Sequence, residues 1–444
     1  MSLQTRNALL GALTAVILLA LFTRLPFVRD RLDWRIQALA QSVSAAFFPQ
    51  EEAIFVPVGP APETSALVSL PPAIEATPTP RPSPTITQTI APDEPTRTPS
   101  PTATPLPEMV LLSGMKYFDQ HGMWNYCGPA TLAMALSYWG WDGDRLDAGR
   151  WLKPFDEDLN VMPYEMANYA RQEAGLAAVV RNGGTLDLLK RMVAGGFPVV
   201  IEKGTMIRET TTGQITWMGH YNLVVGYDDA AQEVIVRDSF YSPPKHPLDF
   251  RISYEQILQE WRGFNYLFLV VYPPDREAEV MALLGEYADA TTASQIAAER
   301  ASAEIFSTSG ADRFFAWFNR GSSLVALQDY HGGALAYDEA FLYLASLPEE
   351  ETPKKIMRIV WYQTGPYFAY FFTGRYQDVI NLAGQAMAVA SRGPFLEESF
   401  FWRARARYML GDTAGALEDL RQSLVYHPGF EPSVQLLNDW GYSE

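Results

Sequence analysis

Cysteine is almost absent. Cys127 is the only one in 444 residues, so no disulfide can form within the chain and no multi-cysteine zinc site can be built. Positive charge is short as well. With 34 Lys and Arg against 51 Asp and Glu the net charge is −17, and a nucleic-acid partner, which needs a basic surface, is not expected. No G-x-x-x-x-G-K-[ST] run occurs, which excludes a Walker-type nucleotide site. What is plentiful is apolar surface: 48% of residues are hydrophobic and 13% aromatic, enough for sizeable cores. A chain of this length divides into two or more domains at roughly 100 to 200 residues each.

The long uncharged apolar run lies at the start, Ala8 to Thr23, extended by Leu25 to Val28 around Arg24. Residues 1–34 are therefore expected to be a membrane or export segment. A cleaved signal peptide competes with an uncleaved single-pass anchor, and the anchor is favoured because no A-x-A-like site closely follows the run. Arg24, Arg29 and Arg31 follow the run and would favour that side as cytoplasmic. The next region argues the other way. Residues 35–108 begin with a short amphipathic stretch, RIQALAQSVSAAFF, and continue from Pro57 to Pro107 as a disordered Pro/Thr-rich linker. Such a segment is an extended spacer of about 3.1 Å per residue, suited to holding domains away from a membrane. The folded domains are accordingly expected to be extracytoplasmic.

From Met109 the composition is globular, and YCGPATLAMALSYWG predicts a helix over Gly128 to Trp139, with Pro129 in the first turn and Gly140 as the stop. Cys127 then sits at the helix N-terminus, where unpaired N–H groups and the helix dipole favour a thiolate. Position alone also suits a small buried residue. A second feature changes the balance. The runs His220 to Tyr227 and Glu233 to Asp238 predict an antiparallel hairpin, and a loop of Asp228 to Ala230 would set His220 opposite Asp238 on one face. Opposed Cβ atoms lie about 4.5 to 5.5 Å apart, close enough for a carboxylate to hold an imidazole. A nucleophile, its base and the group orienting that base are then available as Cys127, His220 and Asp238, with Gln120 and the Cys127 N–H as oxyanion donors. Of the other candidates, His121 is too close in sequence to Cys127 and His246 lacks a paired acid. Asp156 to Asp158 have no His nearby in sequence, so no metal is expected there.

These residues resemble the papain-like cysteine peptidases of the bacteriocin-processing, double-glycine leader type and their stand-alone bacterial relatives. The resemblance rests on Gln120, CGPA at Cys127 to Ala130, GHYNLVVGYD at Gly219 to Asp228 and VIVRDSF at Val234 to Phe240. It implies an α+β papain-like cysteine peptidase domain over 109–274, Cys127 as nucleophile, His220 and Asp238 as its partners, Gln120 in the oxyanion hole and no cofactor. The Gln-to-Cys interval is one residue longer than usual in that family. Gly195-Gly196 reads as a helix end before a strand, and cleavage after a double glycine is not carried over.

Residues 275–444 predict an all-α helical-repeat domain. Turn signals at Gln328, Gly374 and Gly411 separate pairs of helical segments that resemble tetratricopeptide repeats, which implies a surface for a protein partner. The aromatic run Trp361 to Phe372 serves either packing between repeats or the lining of a groove. The function expected is a membrane-anchored extracytoplasmic cysteine peptidase acting on a peptide or protein substrate. The alternative is a non-catalytic binding scaffold at the cell surface.

Overall fold

The computed structural model describes residues 53–59, 105–209, 213–390 and 393–442. The apolar run Ala8 to Thr23 and most of the Pro/Thr-rich segment lie outside these residues. Among the described residues no helix is long and apolar enough to cross a membrane.

The first half of the globular chain alternates helices and strands: β1 (Met109–Leu111), α1 (Cys127–Tyr138), α2 (Arg145–Leu152), α3 (Pro163–Gln172), β2 (Ala177–Arg181), α4 (Leu186–Ala194), β3 (Val199–Arg208), β4 (Ile215–Asp228), β5 (Glu233–Asp238), β6 (Phe250–Ser253), α5 (Tyr254–Arg262) and β7 (Phe268–Tyr272). The strands form one antiparallel sheet in the order β2-β7-β3-β4-β5-β6, with β1 also paired to β4. Period-two alternation along β4 feeds two cores. Leu223 and Val225 pack with Leu132 and Leu136 of α1. Val224 packs with Leu188 of α4 and Trp261 of α5 on the other side.

Helix α1 is the central helix of the layer. Every residue from Gly128 to Ser137 is buried, which explains why its sequence is apolar all round instead of striped. The chain enters it through Asn125, held at φ 45°, a left-handed value that Asn tolerates. Gly195 closes α4 and Gly196 (φ 83°) turns the chain toward β3, as the double glycine predicts.

The second half is helical: α6 (Glu277–Leu284), α7 (Ala290–Ser307), α8 (Gly310–Ala326), α9 (Tyr330–Ser346), α10 (Ile359–Tyr362), α11 (Gly365–Phe372), α12 (Tyr376–Ala388), α13 (Glu397–Met409), α14 (Thr413–Tyr426) and α15 (Glu431–Asp439). Pairs α8/α9, α11/α12 and α13/α14 turn at Gln328, Gly374 and Gly411, the three positions of the turn signals, each at positive φ.

A sequence boundary at residue 274 does not separate the packing. Trp217 of β4 and Phe264 share a core with Phe315, Trp361 and other helical residues. The Trp217 ring stacks on Phe264 and on Phe315, each at 5.7 Å. Polar ties cross the same seam: Asn160 Nδ2 donates to the Trp361 carbonyl (2.6 Å), and Gln363 Nε2 donates to that of Gly263 (2.9 Å). Residues 53–59 were expected to run from the juxtamembrane stretch into the spacer, yet they dock on the helices. Phe55 is buried edge-on to Phe341 at 5.0 Å, and the Val58 N–H donates to Asp378 (2.7 Å). The short apolar run Ile54, Phe55, Val56 and Val58, set just before the Pro/Thr-rich stretch, is the signal for that contact.

Candidate active site

The β4–β5 hairpin corrects the expected register and explains why the chemistry survives the correction. Its loop is Asp229–Gln232, one residue longer than expected, so that Asp228 pairs with Glu233 and Gly226 with Ile235. Continued unbroken, that register would set Asp238 opposite Leu223 and put His220 on the other face, because a one-residue slip flips every side chain. A bulge at Val225 intervenes. Beyond it Val224 pairs with Val236 and Asn222 with Asp238, which returns His220 to the face of Asp238 as its diagonal neighbour. His220 Nε2 lies 3.0 Å from Asp238 Oδ1.

Asp238 is 1% exposed and its oxygens are filled. Oδ1 accepts from the backbone N–H groups of Phe240 (2.7 Å) and Tyr241 (3.0 Å), and Oδ2 accepts from Asn222 Nδ2 (2.8 Å). Burial alone would raise its pKa. The charge and hydrogen bond of His220 outweigh this and hold the carboxyl below its ordinary range.

Cys127, at the first position of α1, is partly exposed and lines the same cleft as His220. Burial works against its ionisation, but the hydrogen bond and charge of His220, a hydrogen bond from the Tyr221 backbone and the charge of Lys153 lower the thiol pKa on balance. The imidazole responds in kind: burial pulls it down, whereas Asp238 and then Cys127 lift it to about 9. A lowered thiol beside a raised imidazole favours a thiolate–imidazolium pair, with the Asp238 carboxylate held behind the ring by its donors. As the first helical residue, Cys127 also has an N–H with no acceptor inside the helix.

Gln120 lies in the same cleft, and a neighbour fixes its amide. The Ser239 hydroxyl donates to Gln120 Oε1 (2.9 Å), and the Gln120 N–H donates to the Ser239 carbonyl (2.9 Å). With its oxygen engaged, the amide turns its NH2 group away from Ser239 as a donor. His121 stacks on Phe240 at the rim, and His246 packs on Tyr241 and Phe250 without an acid.

The cleft, about 230 Å³, has two walls. One carries Gln120, Cys127 and His220; the other comes from the helical half through Arg358, Trp361 and Tyr362. Tyr362 and Phe264 close over the backbone beside His220 because Gly219 has no Cβ, which would meet Phe264 at 2.7 Å and Tyr362 at 3.0 Å. Trp361 and Tyr362 pack in the shared core and line this cleft, which is not the concave groove of the repeats weighed for the aromatic run. Glu202, 2% exposed on β3, also borders the cleft. Burial, opposed by a hydrogen bond shared with Tyr221 and reinforced by the Cys127 charge, raises its carboxyl well above the ordinary range. Ser239, Lys153 and Glu202 escaped the sequence reading. Ser239 alone had a local signal, as the residue directly after Asp238.

The expectation of no metal near Asp158 rested on the absence of a sequence-local His, and the fold overturns that premise. His427 and Glu397, from the far end of the chain, lie beside Asp158.

Comparison with known proteins bears on the same region. No curated protein matches the chain. A crystal structure of a protein from Bacillus anthracis, described provisionally as a C39-like peptidase, aligns at a TM-score of 0.31 and 21% identity, over 37% of this chain and 98% of that one. Residues 113–267, which contain Gln120, Cys127, His220 and Asp238, match the family described as "Peptidase_C39 like family".

Proposed function

We propose that the chain is a cysteine peptidase whose Cys127 thiolate attacks a peptide carbonyl. The observation carrying this reading is the Cys127–His220–Asp238 relay, in which hydrogen bonds and charge favour the ionised thiol. The attack forms a C–S bond and moves the carbonyl electron pair onto oxygen, where Gln120 Nε2 and the Cys127 N–H are the donors. Collapse of this intermediate breaks the C–N bond, and the His220 imidazolium gives its proton to the leaving amine. His220, now neutral, takes a proton from water as the water attacks the thioester. The acid product leaves and the starting pair is restored. Asp238 stays ionised and holds the ring throughout.

The helical half, with its three hairpins, would orient the substrate at the cleft and offer its outer surface to a protein partner in the manner of tetratricopeptide-like repeats. The N-terminal apolar run would tether the molecule to a membrane with the folded halves outside the cytoplasm. Incubating a denatured proteome with wild type and with Cys127→Ala, then sequencing new N-termini by mass spectrometry, tests the activity. New termini with wild type alone support it, and identical profiles contradict it.

A further inference from the structure

The mechanism leaves unused a second buried cluster, where the loop after α2 meets the last helical hairpin. Asp158 comes from that loop, Glu397 and Glu398 open α13, and His427 follows α14. One oxygen each of Asp158 and Glu397 and one ring nitrogen of His427 lie within 4.8 Å of one another. Asp158 is 2% exposed, Glu397 1% and Glu398 6%.

The buried Lys153 ammonium acts on Asp158 and Glu397 through its charge, but hydrogen-bond donors to these oxygens are few. Glu397 Oε1 is paired with His427 Nδ1 (2.9 Å), and Asp158 Oδ1 accepts from the Asn160 N–H (3.1 Å). Glu397 Oε2, Glu398 Oε1 and Asn160 Oδ1, all on residues more than nine-tenths buried, have no hydrogen-bond partner. Asn160 belongs to the cluster, since its Nδ2 lies 3.5 Å from Glu398 Oε2. An orphaned buried acceptor costs about 1 to 3 kcal/mol, and more when charged. Three orphans in one place call for a ligand that accepts lone pairs.

We propose that Asp158, Glu397 and His427 bind a divalent first-row transition-metal ion, with Glu398 and Asn160 beside it, at the seam between the two halves of the molecule. Carboxylate oxygens with an imidazole nitrogen suit Zn²⁺ or Mn²⁺ better than Ca²⁺, which prefers an all-oxygen shell. Atoms bound to one ion at about 2.1 Å stand roughly 3 to 3.5 Å apart, so the side chains need only close inward by about an ångström. The opposing charge also answers the electrostatics: burial and mutual repulsion raise the Asp158 and Glu398 carboxyls well above their ordinary range. The site has a mechanical consequence. Leu159, Asn160 and Val161, directly after Asp158, line the substrate cleft, so an ion here pins that wall to α13 and α14. Asp158 and Asn160 lie inside the region matched to the peptidase family, whereas Glu397, Glu398 and His427 lie beyond residue 267, so that region alone does not contain the site.

The test uses the full chain and does not depend on peptidase activity. After dialysis against a chelator, wild type, Cys127→Ala, Asp158→Asn and His427→Ala are titrated calorimetrically with Zn²⁺, Mn²⁺ and Ca²⁺, and metal content and Tm are measured. The expected result is one transition-metal ion per chain in wild type and Cys127→Ala, with a Tm several degrees higher when loaded. Asp158→Asn and His427→Ala should lose at least tenfold in affinity. Cys127→Ala separates this site from adventitious binding at the active thiol and leaves the acidic cluster intact. Wild type and Cys127→Ala therefore decide the matter even if the cluster variants misfold. No stoichiometric ion in either, or binding abolished by Cys127→Ala and kept by Asp158→Asn, overturns the proposal.

Discussion

The two walls of the cleft differ in what they contribute. In the proposed reaction the sheet-side wall carries the chemistry: a thiol, an imidazole and a carboxylate whose charges and hydrogen bonds drive each toward its ionised form. The helical wall carries shape. Trp361 and Tyr362 offer rings, and the buried Arg358 is already committed to Glu209 and Thr216. Substitutions on the first wall should therefore fall on kcat, and those on the second on KM.

The sharpest break is Cys127→Ala, expected to cut hydrolysis by about 10⁴-fold or more, as loss of a nucleophile does in comparable triads, while leaving the circular dichroism unchanged. Next comes Asp238→Asn, for which a drop in kcat of about 10³ to 10⁴ is expected with little change in KM, because the ring loses the partner that fixes its tautomer. Gln120→Ala should cost about 10² to 10³ in kcat if its amide holds the oxyanion. Ser239→Ala, which only frees that amide to rotate, should cost less than Gln120→Ala in the same assay. On the other wall, Trp361→Ala is expected to raise KM about fivefold and alter kcat by less than twofold. A kcat effect from Trp361→Ala equal to that of Asp238→Asn would erase the distinction between the walls.

The same contrast marks what the sequence could reveal. Cys127, His220 and Asp238 could be singled out because helix-start chemistry and hairpin alternation are local patterns, whereas Gln120 stands out only as a loop donor ahead of Cys127 and through the family resemblance. The register was not, since the longer loop and the bulge at Val225 offset each other and neither has a clear local signature. Helices, turn positions and the central α1 followed from periodicity and punctuation. The second wall did not. Trp361 lies 234 positions beyond Cys127 along the chain, and only packing of Trp217 and Phe264 against the helices brings it to the cleft. The acidic cluster was hidden for the same reason, with His427 arriving beside Asp158 through tertiary contact alone.

The central claim is that His220 ionises Cys127, and the rate of Cys127 alkylation as a function of pH tests it most directly. In wild type the reactive midpoint should lie below the roughly 8.5 of an ordinary thiol. Peptide hydrolysis should rise with pH through that midpoint and fall above about 9, where His220 loses its proton and can no longer serve the leaving amine. In His220→Ala the alkylation midpoint should move up to the ordinary value. Identical midpoints near 8.5 in both proteins would contradict the account.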